Sequence, residues 1–281
     1  MKIGVCFNLF NNGFPRYGDE RYKKVAEFGF DAIDFTLWDV KSPVYTLGED
    51  EAKKFLENER KLIEEAGIFV SQVHAPGGVP TDADVENRMV EMKKSIWAAH
   101  HLGCKNWVAH PLMTYSYFDR GTEDAKKTFD VNVPFFRELS DYAKDFGVTI
   151  CIENLPCKDY SISKPEETLN LIKAIGRDNV KMCLDVGHVT VWRDLNLRDE
   201  VLKLGDIIKV LHVHDNELFV DGHLFPFYGQ TNWKEFVDTL KEINYEGVFS
   251  MEIPINENYP DDAFEYLAKA LSIITKKVIN L

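Results

Sequence analysis

The sequence predicts an α/β fold, a single-domain (β/α)8 TIM barrel spanning residues 1–281, and three observations predict it. Gly29, Gly67, Gly103, Gly147, Gly176, Gly205 and Gly247 each follow a helix-like segment and precede an apolar, β-rich one, at intervals of 38, 36, 44, 29, 29 and 42 residues. The apolar runs are short and continuous, as in a parallel sheet covered outside and packed inside. Six consecutive runs end in Asp, Glu or His.

Glycine just past a helix end supplies the left-handed cap that other residues resist. Seven such junctions and the opening strand make eight strands: Ile3–Phe7, Ala32–Leu37, Ile68–His74, Asn106–His110, Val148–Glu153, Val180–Asp185, Ile207–His214 and Val248–Glu252. The helices between them show the right period. Val85, Met89, Met92, Ile96 and Ala99 share one face, as do Leu169, Ile172 and Ile175. Phe236, Leu240 and Ile243, and then Phe264, Leu267, Leu271 and Ile274, repeat the pattern. These stripes are core contacts. Pro134 interrupts the segment from Thr122 to Phe146, so a kink or a helix start is expected there. No linker or low-complexity segment divides the chain. Eight strands strictly alternating with eight helices imply the barrel.

Composition sets the class. A hydrophobic content of 45% in 281 residues can bury one large core. No apolar run approaches the ~18 residues that span a bilayer, so no membrane association is expected. The opening Met1-Lys2-Ile3-Gly4-Val5-Cys6-Phe7 lacks a signal-peptide pattern. Five cysteines without a Cys-x-x-Cys pair read as buried thiols of a cytoplasmic protein. The net charge of −13 argues against broad nucleic-acid binding.

The strand ends carry the chemistry, because the active sites of such barrels lie at that mouth. Strand three ends at His74, strand four at His110, strand five at Glu153-Asn154, and strand six at Asp185, with His188 close behind. Strand seven carries His212 and His214, which alternation turns to one side, and Asp221 and His223 follow in its loop. Strand eight ends at Glu252. A lone His or Glu at a strand end has a dull explanation, a capped or solvated terminus. Six strands delivering such groups to one rim do not, since clustered carboxylates repel one another and resist desolvation. A divalent cation resolves that conflict. Oxygen and nitrogen ligands without thiolate favour Mn, Co, Mg or Zn.

Ile152-Glu153-Asn154, Leu184-Asp185-Val186-Gly187-His188 and His212-Val213-His214-Asp215-Asn216 with Asp221-Gly222-His223 resemble the motifs of the xylose-isomerase-like superfamily. It includes sugar and sugar-phosphate isomerases, ketose 3-epimerases, inosose dehydratases and endonuclease IV, and the resemblance covers essentially the whole chain. In its epimerase and isomerase branch the resemblance implies one metal held by Glu153, Asp185, His212 and Glu252. His214 stays open as the alternative to His212, a matter of register. His188 is implied as a substrate contact, and His74, His110 and His214 join it if one metal is bound. The endonuclease IV branch implies a trinuclear zinc site that adds His74, His110, His188, Asp221 and His223.

The expected activity is a divalent-metal-dependent sugar or sugar-phosphate isomerase or epimerase. It would work by proton transfer through a metal-stabilised enediolate, with Glu153 and Glu252 removing and returning the proton on opposite faces. The alternative is a zinc phosphodiesterase acting on abasic DNA. The loops after His110 (Pro111 to Phe118) and after Asn154 (Leu155 to Tyr160) are aromatic and poor in arginine. They suit closure over a small polyol better than a grip on phosphates. Trp38, Trp107, Phe7 and Phe225 are candidates for an apolar sugar wall. Arg16, Arg120 and Arg193 are candidates to hold an acid group, with surface ion pairing the commoner fate. Relatives of this type pair through barrel faces, so a homo-oligomer is an open expectation.

Overall fold

In the computed structural model, which describes residues 1–6, 10–11, 14–77, 84–113, 118–256 and 258–281, one sheet of eight strands runs around the molecule in chain order. Its strands are β1 (Ile3–Val5), β2 (Ala32–Thr36), β3 (Phe69–His74), β4 (Asn106–Ala109), β5 (Thr149–Glu153), β6 (Val180–Asp185), β7 (Ile208–His212) and β8 (Phe249–Met251). Every neighbouring pair is parallel, and β8 returns to pair with β1, Ile3 opposite Phe249 and Val5 opposite Met251. Val213 closes the seam between β7 and β8. Its N–H donates to the Ser250 carbonyl at 2.9 Å and its carbonyl accepts from the Glu252 N–H at 3.0 Å.

Parallel strands need long crossovers, and helices fill them. The helices are α1 (Arg21–Phe28), α2 (Pro43–Thr46), α3 (Glu49–Glu65), α4 (Val85–His101), α5 (Asp124–Asp145), α6 (Pro165–Ile175), α7 (Val186–Thr190), α8 (Leu197–Leu204), α9 (Trp233–Glu242) and α10 (Asp261–Val278). Their apolar stripes face the sheet as the 3.6-residue period requires. Met92, Ile96 and Ala99 of α4, Leu169, Ile172 and Ile175 of α6, and Phe264 and Leu271 of α10 are buried in one continuous core. A separate cluster, Val108, Cys151, Cys183 and Val210, belongs to four adjacent strands. Each of these residues precedes a rim residue (His110, Glu153, Asp185, His212) by two positions, so it faces the same way. They form an apolar layer inside the barrel, beneath the rim.

Several expectations are corrected. Strict one-to-one alternation fails, because α2 and α3 share the β2–β3 connection, and α7 and α8 share that between β6 and β7. Of the two expectations for Pro134, the helix start is corrected: α5 runs through it. Proline inside a helix costs about 3 kcal/mol, and burial of Phe135, Phe136 and Leu139 on the same helix offsets it. Gly29, Gly67, Gly103, Gly147, Gly176 and Gly205 all have positive φ, but Gly247 does not. After α9 the left-handed position falls to Asn244 (φ 55°). Gly247 is needed for space instead, since a Cβ there would stand 2.2 Å from the Tyr245 hydroxyl. The ladder of β7 ends at His212 and that of β8 at Met251, so His214 and Glu252 lie just beyond their strands. Phe7 lies outside the described residues.

Candidate metal centre

Glu153 is the hub of the rim. It is buried at the end of β5, with Oε1 3.0 Å from His212 Nδ1 and Oε2 3.4 Å and 3.3 Å from Nε2 of His74 and His110. His212 Nδ1 also stands 3.3 Å from Glu252 Oε2. Ligand atoms of Glu153, Asp185, His212 and Glu252 all lie within 4.8 Å of one another. Two further groups adjoin this one: His74, His110 and Glu153, and His188, His214, Asp221 and His223. All nine rim residues singled out from the sequence, and His214 with them, therefore converge.

The local backbone explains how. Asp185 caps α7, its Oδ1 accepting from the His188 N–H at 2.7 Å, and this carries His188 back over the site. Asn154, the residue after Glu153, ties β5 to β6. Its Oδ1 accepts from the Asp185 N–H at 2.9 Å and its Nδ2 donates to the Asp185 carbonyl at 3.0 Å. The Asn154 carbonyl also meets His188 Nδ1 at 2.7 Å. His214 lies against Asp185 (Nε2 to Oδ1, 3.2 Å) and stacks on His223 with ring centroids 3.9 Å apart. Register thus separates the two strand-seven histidines: His212 joins the carboxylates, and His214 the histidine-rich group.

The electrostatics agree with the crowding. Burial opposes ionisation of Glu153, yet the surrounding imidazoles, His212 foremost, hold its carboxyl well below the ordinary range. Burial likewise works against a charged His188, but Asp185 and Asp221 outweigh it and raise the imidazole to about 10. His223, beside Asp221, is raised to about 9 in the same way. The donor set fits a divalent cation. His212 Nε2 lies 2.8 Å from Asp34 Oδ2, an acceptor, so that nitrogen carries the hydrogen. Nδ1 is then left facing two carboxylates. Glu153 Oε2 and Asp185 Oδ2 are buried carboxylate oxygens without a hydrogen bond among the described residues. Such orphaned acceptors call for a proton or a cation.

A cleft of ≈ 330 Å³ opens over this rim. Trp38 forms one wall, its ring 5.3 Å and 5.5 Å from those of His74 and His110. Met113, Leu155, Pro156 and Tyr160 line the rest, so both loops read as aromatic and apolar reach the cleft; residues 114–117 lie outside the described residues. Trp107 is not part of it. That ring is fully buried and donates from Nε1 to Ser95 Oγ of α4 at 2.9 Å, because alternation turns it outward from the barrel. Phe225 packs against the main core and does not line the cleft. Arg16 pairs with Asp261 and Arg120 with both oxygens of Glu167, while Arg193 covers the Phe219 ring.

Sequence reasoning missed Asp34, buried in β2 behind His212. Its signal was an acid in the middle of the apolar run Ala-Ile-Asp-Phe-Thr. It also missed Cys183, whose thiol is within ligand reach of Glu153 and His212, and the part played by Asp215 and Asn216 in the loop beyond.

Comparison with known proteins adds the context. Residues 22–270 match the family described as xylose isomerase-like TIM barrel. An inosose isomerase of Halalkalibacterium halodurans is 28% identical, over 86% of this chain and 84% of that protein. A D-psicose 3-epimerase of Enterocloster bolteae is 25% identical, over 90% of this chain and 82% of its own. The fold matches D-psicose 3-epimerase with D-tagatose from Clostridium cellulolyticum H10 at a TM-score of 0.79, 20% identity and 99% coverage of both chains. It matches the IOLI protein with a bound zinc atom at 0.73 and 21% identity, over 99% of this chain and 96% of that one.

Proposed function

Because the chain belongs to the xylose isomerase-like TIM barrel family, we propose that it is a divalent-metal-dependent isomerase or epimerase of a small sugar or sugar derivative. The observation that carries this is the convergence of the ligand atoms of Glu153, Asp185, His212 and Glu252 within 4.8 Å of one another, with Glu153 and Glu252 lining the cleft. Those four residues would hold the cation. When bound, Mn, Co, Mg or Zn supplies positive charge that favours an enediolate over the free carbonyl compound.

The chain's own residues do the rest. Glu153 and Glu252 come from strands separated by β6 and β7, so their carboxylates approach the cleft from different sides. One removes the proton next to the carbonyl and the other returns it. Glu153 is suited to the first task, being held ionised. His188, His74, His110 and His214 orient substrate oxygens. Trp38 and the apolar loops shield the cleft from water and offer a face to the sugar. Glu153→Gln keeps the shape and removes the base. Turnover of ketoses or inososes should fall by a factor of about 10³ or more, and a variant with full activity would sink this assignment.

A zinc phosphodiesterase acting on abasic DNA is favoured by one observation, the two further ligand groups beside the first. Clustered zinc ions would polarise a phosphodiester and its attacking water. The net charge of −13 and the apolar cleft loops weigh against it. Metal content decides. About one Mn, Co or Mg per chain supports the isomerase, whereas about three zinc ions with cleavage of an abasic duplex support the nuclease.

A further inference from the structure

Alternation places a second layer of side chains two residues behind the rim, and its two halves differ. On β4 to β7 it is the apolar cluster of Val108, Cys151, Cys183 and Val210. On β2, β3 and β8 it is polar: Asp34 behind Thr36, Gln72 behind His74, and Ser250 behind Glu252, all essentially without solvent exposure. A barrel interior is filled by branched apolar residues unless something requires otherwise. A buried carboxylate there is strongly disfavoured unless it is paired. Asp34 is paired: Oδ2 lies 2.8 Å from His212 Nε2 and accepts from Gln72 Nε2, also at 2.8 Å. Gln72 is itself anchored by a second Nε2 bond, 3.3 Å to the Leu211 carbonyl next to His212.

We propose that Asp34, with Gln72 behind it, is the positioning residue of the metal centre, fixing the His212 ring so that Nδ1 is presented to the cation. This rests on the metal-dependent reading above. A neutral imidazole has one N–H, and without Asp34 either nitrogen could carry it. With the cation bound, the carboxylate would hold the hydrogen on Nε2 and leave the Nδ1 lone pair to the metal, on the side where Glu153 Oε1 (3.0 Å) and Glu252 Oε2 (3.3 Å) lie. It also makes the imidazole more basic and so a stronger ligand. Asp34 does not itself reach the cleft: it is absent from the residues lining it. It therefore acts through His212 alone. The orientation of Gln72 leaves its Oε1 buried without a hydrogen bond among the described residues, and the residue lines a ≈ 460 Å³ cavity on the other end of the barrel.

The test titrates metal-free full-length chain with Co²⁺, following heat and the visible absorption of the bound ion. Wild type, Asp34→Asn and Gln72→Met are compared. Asp34→Asn should bind Co²⁺ about 10- to 100-fold more weakly and show an altered absorption envelope, because the ligand ring is no longer held in one tautomer and orientation. Gln72→Met leaves the Asp34–His212 bond in place and should shift affinity in the same direction by less. It also keeps the test decisive should Asp34→Asn fold poorly. Wild-type affinity and spectrum in both variants would overturn the proposal and leave the metal reading standing. A wild-type chain that takes up no Co²⁺ would overturn both.

Discussion

His214 lies against Asp185 only because residue 187 has no side chain. A Cβ on Gly187 would stand 2.0 Å from the His214 ring, closer than any real contact, and the ring has nowhere to move, since it is fully buried and stacked on His223. Gly187→Ala should therefore cost about 1–3 kcal/mol in a urea titration and displace His214, lowering metal retention. An alanine variant with wild-type stability and metal content would show that the ring relaxes freely. The titration of this group is a second residue-scale prediction. His188 and His223 sit at about 10 and about 9, above the ordinary imidazole value. In the metal-free protein their stabilisation is complete below about pH 6.5 and is lost as pH rises through 9 and then 10. Chelated wild type should lose melting temperature across that window more steeply than a His188→Asn, His223→Asn double variant. Parallel profiles would remove these two residues from the account.

At the scale of an element, the connection from β7 to α9 supplies three rim residues and is held by one carboxylate. Asp215 accepts from the N–H groups of Asn216, Phe227, Gly229 and Thr231 at 2.9–3.1 Å, from Thr231 Oγ1 at 2.7 Å and from Trp233 Nε1 at 3.2 Å. Asn216 Oδ1 then accepts from Gly222 and His223. This network holds a backbone that bulky residues resist: Phe219, His223 and Phe227 have φ of 66°, 43° and 73°. Such conformations cost about 1–3 kcal/mol each and persist only where surroundings impose them. Asp215→Asn replaces an acceptor with a group that carries its own N–H donors. Stability should fall by about 1–3 kcal/mol, and limited proteolysis should cut between residues 217 and 230 while the barrel stays intact. Unchanged cleavage would show that the loop holds itself. The long helix α5 teaches the converse, since its proline was expected to kink it or to start it, and the helix runs through with its face buried.

For the whole molecule, the sheet gathers Asp34, Glu153, Asp185 and Glu252 at one end, among six buried or half-buried imidazoles. A cation held there, as proposed, would tie the ends of β5 to β8 together and would make the metal part of the fold's stability. Ligand linkage gives about 2.7 kcal/mol at a free metal concentration one hundred times Kd. Chelation should therefore lower the melting temperature, and returning Mn²⁺, Co²⁺ or Zn²⁺ should restore it. Indifference to chelator and metal would argue that the imidazolium–carboxylate pairs alone hold the rim. Among the described residues no helix is long and apolar enough to cross a membrane.

The sequence by itself determined the architecture and the rim. Helix-ending glycines, the period of the stripes and the chemistry of strand ends are local properties, and they give eight strands and nine rim residues without knowledge of any long-range contact. Tertiary structure decided what depends on partners far along the chain. Asp34 and His212 meet across 178 residues, so no local pattern announces them. That His212 groups with Glu153, Asp185 and Glu252 while His214 groups with His188, Asp221 and His223 depends on where the β7 ladder ends, and that is set by pairing with β6 and by closure through Val213. Trp38 and Trp107 are the same residue type near the same mouth. Only strand alternation and the packing of α4 put one in the cleft and the other in the core.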